Sequence, residues 1–361
     1  MTLQKIGMYA TNRPEWTIMN IACWLTNTTI VTLYATLGDE ALAHCINETL
    51  LETILVDEKS FDSILAKTDD SLISSVKNII LCFHPTSDQV EKAEAAGLKV
   101  FTVDSLQEIG ALKGDSLLEE VELPTGDSIE VLCYTSGTTG MPKAAIITHK
   151  NWVSNVKFAA LQELQFFDDD VVISYLPLAH VYEKLVHLNC LCNGSSIGYF
   201  GGDVMKLVSD IGILKPTIVP MVPRLLTRIY DKINQGVNEG NFVKRALFGW
   251  ALSSKQQSLQ SDASYTHGVW DKVIFGKTRE LLGGRVRIIT TGSAPISNDV
   301  LDFLKACFCC PIIEGFGMTE TASMVSLTRT MDPNSGHVGV PNVNNVSNLT
   351  CRRSSWSTSL R

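Results

Sequence analysis

Residues 129–133 and 144–147 are short apolar runs, and between them stands Tyr134-Thr135-Ser136-Gly137-Thr138-Thr139-Gly140-Met141-Pro142-Lys143. The second run, Ala144-Ala145-Ile146-Ile147, is short and partly β-branched and predicts a strand. The loop therefore joins two strands. Its glycines permit positive φ and a close approach of backbone N–H groups to a ligand. Successive N–H groups, hydroxyls and an ammonium make an anion-holding concavity, for which polyphosphate is the natural guest. The Walker loop is disfavoured on two counts: Pro142 stands where Gly must precede Lys, and a strand follows where a helix must open. Thr135, Ser136, Gly137, Thr138, Thr139 and Gly140 are the candidate phosphate donors, with Lys143 as the cation. The competing reading is a plain Ser/Thr/Gly surface loop; a Lys fixed behind Pro between two strands argues against it.

The first hundred residues alternate helix and strand patterns. Asn12 is expected to cap a helix with Pro14 in its first turn, followed by apolar Trp16, Met19 and Cys23. Strands are predicted at 29–35, 53–56, 78–82 and 99–103, and helices at 38–49 and 89–96. Such alternation implies an α/β fold of mostly parallel sheets with helical crossovers. Residues 115–128, acidic and holding Pro124 and Gly126, read as a connector between a first α/β subdomain (1–114) and a second part (129–341). Farther on, 151–164 and 241–282 read as helical.

Composition narrows the function. A net charge of −8 over 361 residues, with no basic face, argues against nucleic acid as a partner. Ten cysteines without a signal peptide read as reduced intracellular thiols. Cys190-x-Cys192 and Cys307-x-Cys309-Cys310 lack a matching second half, so free thiols fit better than a metal site. No run of about 18 apolar residues predicts a spanning helix.

Several smaller features carry two readings each. Asp168-Asp169-Asp170 precedes a strand at 171–176 and reads as a solvated turn rather than a metal site. His180, in Pro177-Leu178-Ala179-His180-Val181-Tyr182-Glu183, is structural by default, with Tyr182 and Glu183 as packing and helix-start residues. Asp203 is a plausible helix N-cap. Arg224 reads as a salt-bridge partner ahead of an anion contact. Phe242, Phe248, Trp250, Trp270 and Phe275 read as core ahead of a lipid tunnel wall.

A second strong constellation lies near the end. The β-rich run 286–290 empties into Thr291-Gly292-Ser293-Ala294-Pro295, and ligands gather outside the carboxyl ends of strands in open α/β sheets. A strand at 311–313 then delivers Glu314-Gly315-Phe316-Gly317-Met318-Thr319-Glu320-Thr321. The glycines allow a tight approach, Phe316 offers a stacking face, Thr319 a hydroxyl, and Glu320 a carboxylate able to hold Mg²⁺. A Gly-rich turn with one exposed Glu is the competing reading.

Residues 135–143 resemble the nucleotide-binding signature of the AMP-forming acyl-adenylating enzymes, and 177–183 looks like the second signature of the long-chain acyl-CoA synthetases among them. Residues 9–16, 33–38, 217–226 and 335–341 also look like family segments. The resemblance implies the large N-terminal adenylating domain, incomplete here, and a two-step reaction. A fatty-acid carboxylate attacks the α-phosphorus of ATP, pyrophosphate leaves, and CoA then takes the acyl group from the acyl-adenylate. It implies ATP and Mg²⁺, with CoA as co-substrate. Gly292, Ser293, Ala294, Pro295, Glu314, Gly315, Phe316, Gly317 and Met318 would line the adenylate site. The catalytic set would be Lys143, Thr319 at the α-phosphate, Glu320 on the metal, and His180 beside the acyl carboxylate. The family works at membrane faces, so a cytosolic location, free or on an organelle surface such as the endoplasmic reticulum, is expected, with no specific protein partner.

After Pro341 the resemblance stops. Residues 342–361 are rich in Asn, Ser and Arg and are expected to form a disordered, non-family tail. In the family, the continuation carries a mobile domain with the Lys used in adenylation and much of the CoA site, so impaired turnover is expected. Three alternatives stay open: a medium-chain or aryl-acid adenylating ligase, a non-catalytic nucleotide-binding remnant, and a conventional NTPase.

Overall fold

A computed structural model describes residues 4–342, apart from 70–71, 115–118, 120, 136–139 and 162–163. Of the expected tail at 342–361, residues 343–361 lie outside the described residues, as does part of the acidic connector. Two seven-stranded sheets organise the described residues. The first contains Lys5–Tyr9 (β1), Thr29–Thr32 (β2), Thr53–Val56 (β3), Asn78–Leu81 (β4), Lys99–Thr102 (β5), Ile129–Thr135 (β6) and Lys143–Thr148 (β7), in the order β5-β4-β3-β1-β2-β6-β7. Among the described residues of this sheet only the β6–β7 pair is antiparallel. The second contains Val171–Ser174 (β8), Ser196–Tyr199 (β9), Ile218–Met221 (β10), Ile288–Thr291 (β11), Ile312–Met318 (β12), Ser323–Leu327 (β13) and Val340–Pro341 (β14). Its order is β14-β13-β12-β11-β10-β8-β9, and the last two strands in sequence run antiparallel. Every residue of β2 and of β10 is buried, as parallel strands covered on both faces require.

Three layers of helix cover the two sheets. Asp39–Thr49 (α2), Glu58–Asp69 (α3) and Ser87–Ala95 (α4) pack Leu42, Ile46, Phe61 and Ala93 on the outer face of the first sheet. Val103–Lys113 (α5) follows β5. Pro14–Leu25 (α1), His149–Leu161 (α6) and Val181–Asn193 (α7) sit between the sheets, where Trp16, Trp152, Phe158, Val181 and Leu185 share one core with Ile30 and Val131 of one sheet and Ile218 and Ile313 of the other. Leu207–Leu214 (α8), Pro223–Asn238 (α9), Phe242–Asp262 (α10), Trp270–Val273 (α11), Gly276–Glu280 (α12) and Asn298–Phe308 (α13) cover the far side of the second sheet. The mostly parallel α/β class expected from the sequence is the class observed.

A buried polar network crosses the middle layer. Lys184 on α7 donates to Glu130 on β6 at 2.7 Å and to Asn20 on α1 at 3.0 Å. The indole N–H groups of Trp24 and Trp152 donate to the same Glu130 carboxylate at 2.6 and 2.8 Å. Both charged side chains are almost fully buried, so the ion pair is tolerable only because every Glu130 oxygen is hydrogen-bonded.

Several local expectations are corrected. Asn12 does not cap α1, whose N-cap is Arg13 with no side-chain bond. Asn12 instead joins the sheets: its amide donates to Ser174 Oγ and the Leu176 carbonyl, and its carbonyl accepts from Leu178 N–H. Asp170 is not part of a solvated turn, because Arg287 clamps it through two nitrogens and Thr217 donates to it at 2.6 Å. Burial pushes the Asp170 carboxyl up, but these bonds more than offset it and hold it below its ordinary value. Asp203 caps a turn, accepting from Met205 N–H, while the helix begins later. Arg224 is exposed and makes no ion pair among the described residues. The predicted helix at 241–282 is broken after Asp262, where Ala263 takes a left-handed φ of 51°. Phe275 is core, whereas Phe242 and Trp250 are 76% and 74% exposed.

Candidate active site

A cavity of about 270 Å³ opens at the carboxyl ends of β11 and β12. Its lining combines polar side chains and glycine backbone, at His180, Thr290, Thr291, Ser293, Gly317 and Thr319, with apolar side chains, at Leu164, Phe166, Leu185, Val186, Met324 and Leu327. Placement at the strand ends follows the general rule for open α/β sheets. Among the described residues Thr291 Oγ1 is buried and has no hydrogen-bond partner, so a hydroxyl of the cavity lining is left unsatisfied. Tyr182, read from sequence as packing, also lines the cavity and shares a 2.8 Å hydrogen bond with Thr290.

Two glycines are required here by contact. A Cβ on Gly292 would lie 2.8 Å from the Gly315 carbonyl, and one on Gly317 would lie 1.4 Å from the Ser323 carbonyl. The second is possible only without a side chain, and it coincides with the register shift between Phe316 and Gly317 in the β12–β13 ladder. Ser293 sits at φ 69° and its hydroxyl donates back to the Gly292 carbonyl.

The lysine-bearing loop joins two antiparallel strands, as its sequence predicts: Thr135 ends β6 opposite Lys143, which begins β7. Thr135 Oγ1 donates to the Lys143 carbonyl at 3.4 Å, and Gly140 uses a φ of 106°. Ser136, Gly137, Thr138 and Thr139 lie outside the described residues. Strand β7 packs against the 3₁₀ turn Thr319–Thr321, which carries Glu320. Asn155 of α6 fastens that turn by donating to the Thr321 and Ala322 carbonyls at 3.0 and 3.1 Å. Lys143 and Glu320 are both exposed, on neighbouring elements of opposite sheets. Neither forms part of the cavity wall.

His180 is the N-cap of α7, and its Nδ1 accepts from Tyr182 N–H at 3.1 Å. This fixes a neutral tautomer with Nε2–H available to the cavity. Burial lowers the pKa of His180 below its ordinary 6.5. His149 is lowered too, first by burial and then by Lys184, with Glu130 opposing. The unfolded chain takes up protons near pH 6.5 that the folded chain refuses, so this stability is complete above that pH and lost as pH falls below it. The urea midpoint should therefore drop between about pH 7.5 and about pH 5.5, and the drop should shrink in a His149→Gln, His180→Asn double variant. An equal drop in wild type and double variant contradicts the assignment.

Of the residues singled out from sequence, the cavity brings together His180, Gly292, Ser293, Gly315, Phe316, Gly317, Met318 and Thr319. Ala294 and Pro295 are exposed beside it. Glu314 lies below, paired with Thr291 across the ladder; burial raises its pKa, and His337 and Lys305 are the opposing charges. Sequence reasoning missed Phe166, Leu185, Val186, Asn189, Thr290 and Met324. The 182, 185, 186, 189 spacing along α7 is a helical face and could have been found. Among the described residues no three His, Cys, Asp or Glu side chains converge as a metal cage. A single exposed carboxylate such as Glu320 suits Mg²⁺, which takes one or two carboxylates plus substrate phosphates.

Residue 342 bears on the expected tail. Asn342 is buried, donates to the Val325 carbonyl at 2.6 Å and reaches Asn155 Oδ1 at 3.3 Å, so the first residue beyond Pro341 packs beneath the Thr319–Thr321 turn.

Known proteins resemble this chain in sequence and in fold. The chain is 38% identical over 342 residues to the human protein named long-chain-fatty-acid–CoA ligase 1, covering 94% of this chain and 48% of the relative. It is 38% identical to the peroxisomal long chain acyl-CoA synthetase 7 of Arabidopsis thaliana, covering 93% and 47%. The chain thus spans about half the length of the curated relatives it matches. Among solved structures, the adenylation domain of a carboxylate reductase from Mycobacterium chelonae superposes with a TM-score of 0.66 at 20% identity, over 90% of this chain and 48% of that one. A long-chain-fatty-acid–CoA ligase from Archaeoglobus fulgidus superposes at 0.62 and 17% identity, over 94% and 57%. At such identities the structural likeness concerns the fold. The description "AMP-binding enzyme" matches residues 3–349, eight residues past the point where resemblance was expected to end. With that match over nearly the whole chain, and the strand-end cavity beside the lysine hairpin, this chain belongs to the AMP-binding enzyme family.

Proposed function

We propose that this site binds ATP and a long-chain fatty acid and joins them as an acyl-adenylate, the step that precedes transfer to CoA. The observation that carries the reading is the mixed lining of the cavity, strand ends and hydroxyls together with apolar side chains, with β7 and the Thr319–Thr321 turn in contact alongside. An acyl chain would lie against Leu185, Val186 and Met324, placing its carboxylate toward His180. The nucleotide would lie across Gly292, Ser293 and the Gly315 to Met318 backbone, with Phe316 as its stacking face. Charge develops on phosphate oxygens as the carboxylate attacks, so the protein's contribution is positioning and electrostatic stabilisation. Lys143 and the hydroxyl of Thr319 would supply it. Mg²⁺ held by Glu320 would neutralise phosphate charge when bound.

Titration of the protein with Mg–ATP tests this reading. Saturable binding is expected, weakened about tenfold or more in Lys143→Ala, the scale of one charge-assisted hydrogen bond. Fatty-acid-dependent release of pyrophosphate supports adenylation. Release of orthophosphate without fatty acid would instead revive a conventional NTPase, and identical affinity in Lys143→Ala would remove the lysine from the site.

A further inference from the structure

A second reactive cluster lies on the far side of the second sheet, away from the cavity. Lys255 on α10 is buried, yet its ammonium packs 2.9 Å from Cys309 Sγ. The same nitrogen is hydrogen-bonded to Asp271 Oδ1, whose other oxygen accepts from His267 N–H at 2.7 Å. The Phe275 ring closes over the ammonium at 5.2 Å. Cys309 is partly exposed, so a small oxidant reaches it. It also holds the left-handed position that ends α13, at φ 58°, a place where glycine is the unstrained choice. The proposed adenylation chemistry uses none of these groups.

We propose that Lys255 and Cys309 are a redox modification site, closed by dioxygen into a covalent N–O–S link. The 2.9 Å separation is close to the span of one bridging oxygen with two single bonds. In the balanced step the ammonium first gives one proton to Asp271. The thiol then loses its S–H hydrogen and the amine one N–H hydrogen. One oxygen atom of dioxygen bonds to both sulfur and nitrogen; the other leaves as water with those two hydrogens. Sulfur and nitrogen are oxidised and dioxygen is reduced. The link ties α10 to the segment that enters β12 three residues later, the strand that ends at Gly317 and Met318. It also closes a long loop, so the oxidised form resists unfolding more than the reduced form.

Intact-mass spectrometry of the full chain, reduced and then exposed to air, tests the site. The expected product gains one oxygen and loses two hydrogens, returns to the starting mass with dithiothreitol, and yields one cross-linked peptide pair containing Lys255 and Cys309. Cys309→Gly suits the left-handed backbone, so it folds, and it should show no such gain. Lys255→Met strands the Asp271 carboxylate and can fail to fold, which is why Cys309→Gly carries the test. Loss of two hydrogens alone, as in a disulfide among Cys307, Cys309 and Cys310, overturns the proposal. So does a gain of two or three oxygens on Cys309, a link mapped elsewhere, or an unchanged mass.

Discussion

Gly317→Ala is expected to cost the protein its ligand while leaving most of its fold intact. The new Cβ would stand 1.4 Å from the Ser323 carbonyl, and no rotamer relieves a clash between Cβ and backbone. Strands β12 and β13 would have to separate at the register shift beside Phe316. That displaces Phe316, the proposed stacking face, and the turn holding Thr319 and Glu320. The β8 to β11 ladder and the first sheet do not depend on this position. Adenylate affinity should fall about a hundredfold or more, equivalent to about 3 kcal/mol, while far-ultraviolet dichroism stays close to wild type. Unaltered affinity would show that the β12–β13 bend does not form the nucleotide wall.

Glu130→Gln is expected to give the largest loss of stability of any conservative change in the middle layer. Glutamine has nearly the same shape, so packing against Trp24 and Trp152 survives. The neutralisation of Lys184 does not: the glutamine amide oxygen can still accept a hydrogen bond but carries no charge, its NH2 adds a donor where an indole N–H already donates, and the ammonium stays buried with Asn20 and two indole rings at 5.6 and 5.8 Å. Breaking a buried pair from one side costs about 3–5 kcal/mol, a large part of the 5–15 kcal/mol that holds a typical domain together. The urea midpoint should fall accordingly. Adding Lys184→Met should recover much of the loss, since the uncompensated charge goes with it. A single-variant cost under about 1 kcal/mol would mean that water already reaches the pair.

The alternating pattern of the first hundred residues was readable because parallel strands covered on both faces are continuous apolar runs; Thr53–Val56 emerged at the predicted bounds. The hairpin around Lys143 was readable because Pro142 and the β-branched run leave no room for a helix. What failed were polar residues whose partners lie far away in sequence. Asn12 has the local signature of a cap, but its partners are 162 to 166 residues distant. Asp170 resembles any acidic turn until Arg287, 117 residues later, folds back onto it. The apolar lining of the cavity was only partly legible, as the helical face of α7, for a related reason. Leu185, Val186 and Met324 carry no chemistry of their own, and only the meeting of α7 with β13 makes them a surface. Glycine signals fared better: Gly292 and Gly317 stand where backbones touch, a requirement no other residue meets.

The central claim is that one continuous cavity receives both an acyl chain and a nucleotide. It is tested most directly by calorimetric titration with a hydrolysis-resistant long-chain acyl-adenylate, compared with the same nucleotide analogue lacking its acyl chain. Each buried methylene is worth about 0.8 kcal/mol, so even a few buried groups should tighten binding about a hundredfold, at one ligand per chain. Equal affinity for the two compounds would contradict the account, because the apolar wall of Leu185, Val186 and Met324 would then have no part in holding the ligand.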